Sequence, residues 1–283
     1  MEETVNTQGW GLIAGNGDFP LLVLEGARQR GIDMAVIAIC EEATPELDRV
    51  ARRIHWVSLG ELNRAIELLH REQVKKAVMA GQVQHRQIFS DIPPDGRMAP
   101  LLARLAARNT DALIGAVAFV LQQEGIELVD STMFLAPLLP PAGLLSQRAP
   151  DRRETEDIAY GRAVARKIAG LDLGQTVVIA QCACVAIEAM EGTDETIERA
   201  ARLAGGQPLT VVKVSKPKQD MRFDVPVVGP RTIEMMQRSR ATALAIDAGR
   251  TLLFDRPRVV ELADAAEITI QAFPPGDGDG KTE

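Results

Sequence analysis

Residues 10–20 read W-G-L-I-A-G-N-G-D-F-P. The apolar run 10–14 ends in a turn bearing Gly15 and Gly17, and a helix-compatible segment, 21–30, follows as far as Gly31. Glycine permits a tight turn and close backbone approach, and a helix N-terminus offers unpaired N–H groups to an anion. Pro20 stands where a dinucleotide-binding fingerprint would carry its third glycine, and proline suits the first turn of a helix. The stretch reads as strand, turn and helix, the opening of an α/β fold. It predicts a nucleotide or phosphate contact from Gly15, Asn16 and Gly17; a turn that needs glycine for geometry alone is the alternative.

Outward from there, residues 34–39 are wholly apolar and rich in β-branched side chains, as expected of a strand covered on both faces. Short strands at 54–57, 77–80 and 126–129 alternate with helical segments from about 59, at 101–107 and at 111–123. This alternation predicts a parallel sheet with helices on both faces, a Rossmann-like domain over residues 1–134. M-A-G-Q-V at 79–83 closes one strand, and Gly81 is a second point where a ligand could approach the backbone. Glu41 and Glu42, after the second strand, could meet ribose hydroxyls but read as solvent-facing.

At 135–153 the composition becomes proline-rich and predicts an irregular linker, although Leu138, Leu139, Leu144 and Leu145 need apolar cover. Residues 154–272 read as a mixed α/β domain. A helix at 154–169 leads to strands 176–179 and 185–189, joined by a hairpin through 181–183. Thr193 is read as the N-cap of the next helix, 209–215 as a strand, and Asp255 as the cap of a helix over 256–265. Residues 273–283 end in P-P-G-D-G-D-G-K-T-E and are expected to be disordered.

The densest charge lies at 213–226, K-V-S-K-P-K-Q-D-M-R-F-D-V-P. Read as a strand, it would send Met221, Phe223 and Val225 inward and leave Asp220, Arg222 and Asp224 on the opposite face. Carboxylates mixed with cations suit a phosphate ester: the acids hold a divalent metal or orient water, and Lys213, Lys216 and Arg222 meet phosphate oxygens. A half-buried strand with an ion-paired outer face is the competing reading. A second acidic group, Glu188, Glu191, Asp194 and Glu195, surrounds Gly192. It reads either as a metal site or as helix-capping carboxylates, with the helix start at Thr193 open to phosphate.

Three histidines, His55, His70 and His85, lack metal-ligand spacing. Cys40, Cys182 and Cys184 read as buried small apolar residues in a reducing compartment. No G-x-S-x-G, H-E-x-x-H or P-loop occurs. A net charge of −7 argues against a nucleic-acid-binding surface. No signal peptide is visible, and the longest apolar stretch, 112–121, is about half a membrane span. A cytoplasmic protein with at most peripheral membrane contact is expected.

Taken together, G-L-I-A-G-N-G-D-F-P, M-A-G-Q-V, A-I-E-A-M-E-G-T-D-E and K-V-S-K-P-K-Q-D-M-R-F-D-V-P-V-V-G-P resemble the LpxI family, in order and over nearly the whole chain. The resemblance implies a UDP-2,3-diacylglucosamine pyrophosphatase of lipid A biosynthesis. Its products would be UMP and 2,3-diacylglucosamine 1-phosphate (lipid X), its cofactor a divalent cation, normally Mg²⁺. It implies catalytic Asp224 and Asp220 with Arg222, with Asp224 favoured as the essential acid. Metal would fall to Asp220, Asp224 and Glu188, and substrate to Gly15, Asn16, Gly17, Gly81, Thr193, Lys213, Lys216 and Gln219. Gln181 and Cys182 replace a more usual glycine-bearing hairpin turn. An acylated substrate implies an apolar wall, for which Leu144, Leu145 and the 112–121 stretch are candidates, and contact with the cytoplasmic face of the inner membrane. A homodimer is expected from base rates. The rivals are a hydrolase of a non-acylated nucleotide sugar and a lipid or nucleotide carrier without turnover.

Overall fold

The computed structural model describes residues 8–82, 93–104 and 110–275. Two compact units emerge. One comprises Met1–Leu135 together with Asp220–Asp224, the other Ala136–Gln219 with Val225–Glu283.

The N-terminal unit runs β1 (Trp10–Ala14), α1 (Phe19–Gln29), β2 (Ala35–Ile39), α2 (Leu47–Val50), β3 (Arg53–Val57), α3 (Leu62–Arg71), β4 (Lys76–Ala80), α4 (Met98–Arg104), α5 (Thr110–Gln123) and β5 (Glu127–Leu128). Its sheet has the order β3-β2-β1-β4-β5, with every pair parallel. All five residues of β2 are buried, as its unbroken apolar sequence requires. Leu62, Ile66 and Leu69 recur at helical spacing and put one face of α3 into the core. The strand order reverses between β1 and β4, and ligands of such sheets bind outside the strand carboxyl ends at that point.

The C-terminal unit runs β6 (Gly143–Leu144), α6 (Arg152–Gly170), β7 (Thr176–Ala180), β8 (Ala183–Ile187), α7 (Thr193–Leu203), β9 (Leu209–Lys213), β10 (Val227–Val228), α8 (Pro230–Arg238), β11 (Ala241–Asp247), β12 (Leu252–Leu253), α9 (Arg256–Ala265) and β13 (Thr269–Phe273). The main sheet, β6-β13-β11-β9-β7-β8, is mixed: β13, β11 and β9 are parallel, and β6, β7 and β8 add antiparallel. A capping box starts α6, in which Glu154 N–H donates to Asp151 Oδ1 at 2.7 Å and Asp151 N–H to Glu154 Oε2 at 2.9 Å. At Gly161 a Cβ would lie 2.7 Å from Val212 Cγ2, so glycine lets α6 settle onto β9. The β7–β8 hairpin turns on Gln181 and Cys182, both left-handed at φ 51° and 56°. Such turns normally carry glycine or asparagine; here Cys182 N–H donates to the buried Asp157 carboxylate at 2.7 Å.

Several expectations change. Residues 213–226 are not one strand. The ladder stops at Lys213, because Pro217 has no N–H to donate and Ser215 N–H is taken by Asp247. Residues in the stretch read as a linker join the C-terminal sheet. Leu144 pairs with Gln271, and Leu145 N–H donates to Ile270 O while its side chain packs on that unit's core. Gly192, at φ 87°, is the N-cap where Thr193 was expected, and Thr193 is the first helical residue. Glu42 is buried rather than solvent-facing. Cys40, just past β2, and Cys182, in the hairpin turn, are exposed rather than buried, while Cys184 is half-buried and packs against a core cluster of the C-terminal unit. His85, Val83, residues 105–107 of the expected helix and 276–283 of the tail lie outside the described residues.

Candidate active site

In the N-terminal unit the turns after β1 and β4 are laced together. Gly15 N–H donates to Ala80 O at 2.8 Å, Asn16 N–H to Gln82 O at 2.9 Å, and Gln82 N–H to Asn16 O at 3.1 Å. A Cβ on Gly81, where φ is +95°, would stand 2.6 Å from Gly15 C, and one on Gly15 would stand 2.9 Å from Gln82 O. Both glycines are therefore required by backbone against backbone. Gly17, at φ +87°, has open space beside it. Asn16 Nδ2 donates to Glu42 Oε2 at 3.3 Å, and Glu41 accepts from Ser58 Oγ at 2.5 Å and Leu59 N–H at 3.0 Å. Carboxylates thus pin the loops that follow β1, β2 and β3.

The segment Asp220–Asp224 belongs to this same unit. It forms a tight turn, with Phe223 N–H and Asp224 N–H donating to Asp220 O at 3.2 and 2.9 Å. Arg222 grips Asp220 through two parallel bonds, Nε to Oδ1 at 2.8 Å and Nη2 to Oδ2 at 2.6 Å. Those bonds hold the Asp220 carboxyl below the usual carboxylate range and raise the Arg222 guanidinium. Ser131, just past β5, fastens the turn. Its N–H donates to Met221 O at 2.9 Å, and its hydroxyl lies 2.5 Å from the carbonyl oxygens of both Arg222 and Met79, serving one at a time. Phe223 packs against the apolar cluster of this unit and lines a cavity of about 100 Å³ with Gly15, Gly81, Leu113, Val117 and Leu121.

Three other predicted site residues gather in the C-terminal unit, where they bond to one another and leave one oxygen of Glu188, Oε2, buried without a hydrogen-bond partner among the described residues. Lys213 is 4% exposed; its ammonium donates to Thr193 Oγ1 at 2.7 Å and Thr176 Oγ1 at 3.3 Å. Thr193 Oγ1 lies 2.8 Å from Glu188 Oε1 and donates to it. Burial pushes the Glu188 carboxyl up, but the Lys213 charge and the threonine hydroxyls outweigh it and hold the group below its ordinary value. Asp194 accepts from Thr232 and Arg231 and ties α7 to α8. Lys216 pairs with Asp172 at 2.7 Å, and Gln219 Oε1 accepts Lys216 N–H at 2.5 Å, closing a turn over 216–219.

The structure thus brings Gly15, Asn16, Gly17, Gly81, Asp220, Arg222 and Asp224 into one unit and Glu188, Thr193, Lys213, Lys216 and Gln219 into the other. Among the described residues no group of three or more His, Cys, Asp or Glu side chains stands at metal-binding spacing. Glu188 lies in the other unit from the aspartates and accepts from Thr193 beside Lys213. Sequence reading missed Ser131 and the burial of Glu42. The D-S-T triplet at 130–132 carried a trace of the first, since Asp130 accepts both the N–H and the hydroxyl of Thr132 as turn-forming aspartates do.

An open parallel sheet with laced glycine turns at its carboxyl edge, the edge where such sheets bind ligands, and a carboxylate–guanidinium turn fastened in the same unit define an α/β protein. Its lineage is specific. The LpxI N-terminal domain matches residues 10–138 and the LpxI C-terminal domain residues 141–271; the chain belongs to the LpxI family. It is 31% identical over 275 residues to the UDP-2,3-diacylglucosamine pyrophosphatase LpxI of Caulobacter vibrioides, covering 94% of this chain and 97% of that one. Among solved structures, the biotin carboxylase domain of the Hydrogenobacter thermophilus 2-oxoglutarate carboxylase aligns over 73% of this chain and 44% of its own, at 14% identity and TM-score 0.27. The biotin carboxylase subunit of pyruvate carboxylase aligns over 70% and 42%, at 15% identity and TM-score 0.25. Likeness at that level decides nothing about this protein. No helix among the described residues is long and apolar enough to cross a membrane.

Proposed function

We propose that this protein hydrolyses the pyrophosphate of UDP-2,3-diacylglucosamine to UMP and 2,3-diacylglucosamine 1-phosphate, a step of lipid A biosynthesis. The observation that carries the reading is that the D-M-R-F-D turn, distant in sequence, is fastened by Ser131 in the unit that holds the glycine turns. In the reaction a water oxygen bonds to one phosphorus and the bridging P–O bond breaks. The electron pair leaves on the bridging oxygen, and the water proton passes to a carboxylate. Asp220 is engaged by Arg222 on both oxygens, so its role is to hold that guanidinium where charge grows on the phosphates. Asp224 is assigned the role of orienting water and taking its proton.

Magnesium keeps several waters and takes one or two carboxylates plus substrate phosphates, so Asp224 would hold it, Asp220 would add only an oxygen it shares with Arg222, and the ion would neutralise phosphate charge when bound. Gly15, Asn16, Gly17 and Gly81 are assigned to the nucleotide, and Lys216 and Gln219 to the approach to the turn. Lys213 and Thr193 are assigned to fixing the start of α7. The cavity under Phe223, lined by part of the apolar 112–121 stretch, is assigned to one acyl chain. An acylated substrate brings the protein to the membrane surface as a peripheral visitor.

The test is turnover of UDP-2,3-diacylglucosamine with Mg²⁺ by parent and Asp224→Ala protein, following UMP and lipid X. Product from the parent and a loss of about a thousandfold in the variant, roughly 4 kcal/mol of transition-state stabilisation, are expected. No product from folded parent overturns the reading and favours a carrier. Equal activity on a non-acylated UDP-sugar would make the lipid incidental.

A further inference from the structure

One buried ion pair has no part in the reaction as derived. Asp247 ends β11 and is 2% exposed; Arg162, on α6, is 7% exposed. Arg162 Nη1 lies 2.8 Å from Asp247 Oδ1 but off the hydrogen-bond direction, so the contact is ionic. The arginine is held from two further sides, with its guanidinium stacked 4.6 Å over the Phe273 ring and Nη2 donating to Pro274 O at 3.1 Å. The other carboxylate oxygen, Oδ2, accepts both the N–H of Ser215 at 2.8 Å and its hydroxyl at 2.9 Å.

A buried ion pair is often no more stable than apolar residues of the same size, so its retention asks for a reason. The reason here is what Asp247 holds. Ser215 is the second residue after β9, where the chain leaves the sheet for the loop that carries Lys216, Gln219, Asp220, Arg222 and Asp224. Two bonds to one oxygen fix both the peptide plane and the side chain of Ser215. They set the direction in which the loop departs. The loop's return is also tied, by Leu252 N–H to Pro226 O at 2.8 Å.

We infer that Asp247, oriented by Arg162, is a positioning residue that aims the Asp220–Asp224 loop through Ser215. The inference rests on the reading of that loop as the seat of the chemistry. It gives Asp247 no contact with substrate.

The experiment pairs hydrogen exchange of residues 214–226 with steady-state kinetics on UDP-2,3-diacylglucosamine, in the full-length parent, Asp247→Ala, Ser215→Ala and Ser215→Thr. Ser215→Ala removes only the hydroxyl bond and keeps the protein folded if Asp247→Ala does not. Misplacing a catalytic group by about 1 Å can cost a hundredfold, and Ser215→Ala should lose about tenfold in kcat with KM within about twofold. Loop amides should lose protection while the β7, β9 and β11 amides keep theirs, and Ser215→Thr should restore both readouts. Unchanged loop protection in Ser215→Ala and Asp247→Ala overturns the inference, whatever the parent's activity. Loosened loops with full turnover show the tie to be real but the loop not to be catalytic, which overturns the site reading and the inference with it.

Discussion

Two charged clusters, both read from the sequence as phosphate-binding chemistry, fold into different units and different surroundings. Asp220 and Arg222 form a pair two residues apart on a turn, with side chains 32% and 41% exposed. Glu188, Lys213 and Thr193 close on one another inside the C-terminal unit, with Glu188 8% and Lys213 4% exposed. A half-exposed pair can exchange its partner for a substrate oxygen at small cost, because exposed ion pairs are worth little. A buried set cannot, because losing a partner leaves an uncompensated charge in a low dielectric. The same residue types therefore suit the proposed reaction in one place and the fold in the other.

The sharpest way to break this contrast is Lys213→Met. Removing one member of a buried charge set costs about 3–5 kcal/mol, so urea unfolding should show a loss of that order while the folded fraction keeps turnover within about threefold. If stability holds and kcat collapses, the cluster is catalytic and the contrast fails. Gly81→Ala comes next. It places a Cβ 2.6 Å from Gly15 C in a backbone conformation that resists side chains, and a loss of about 1–3 kcal/mol is expected together with a raised KM for the nucleotide. Asp220→Asn should leave stability within about 1 kcal/mol yet lower kcat by about tenfold or more as Arg222 is released. A neutral result there would remove Arg222 from the reaction.

The smallest effect concerns pH. The Glu188 carboxyl is held below its ordinary value in the folded protein. A depressed acid stabilises the fold above its unfolded pKa, about 4.3, and that contribution is lost as the pH falls through the lower folded value. The gap in melting temperature between parent and Glu188→Gln should be full at pH 7 and shrink below about pH 4.3. A gap unchanged down to acid unfolding would mean that Lys213 does not govern this carboxyl.

The two-unit α/β architecture was legible because strand and helix periodicities are local. The all-apolar 34–39 run became a fully buried strand, and Asp255 caps α9 as its position implied. The glycine turns were legible too, though both Gly15 and Gly81 prove necessary for backbone packing before any ligand is considered. What sequence could not yield was partnership at long range. Alternating parity in 220–225 looks like a strand, but Phe223 and Asp224 N–H turn back to Asp220 O, and Ser131, far away in sequence, fastens that turn. Lys213 and Lys216 look equivalent in a lysine-rich string, but Lys213, still on β9, points into the sheet's own cover. The burial of Glu42 and Asp247 goes with partners far away in sequence, Asn16 for the first and Arg162 and Ser215 for the second.

The most direct test sets Asp224→Ala beside Lys213→Met, with kcat on UDP-2,3-diacylglucosamine and unfolding free energy measured for both. The account predicts a crossed pattern. Asp224→Ala should lose about a thousandfold in kcat with stability nearly intact, and Lys213→Met should lose stability with kcat nearly intact. Both variants losing turnover while remaining equally stable would contradict it, because the buried cluster would then be part of the chemistry.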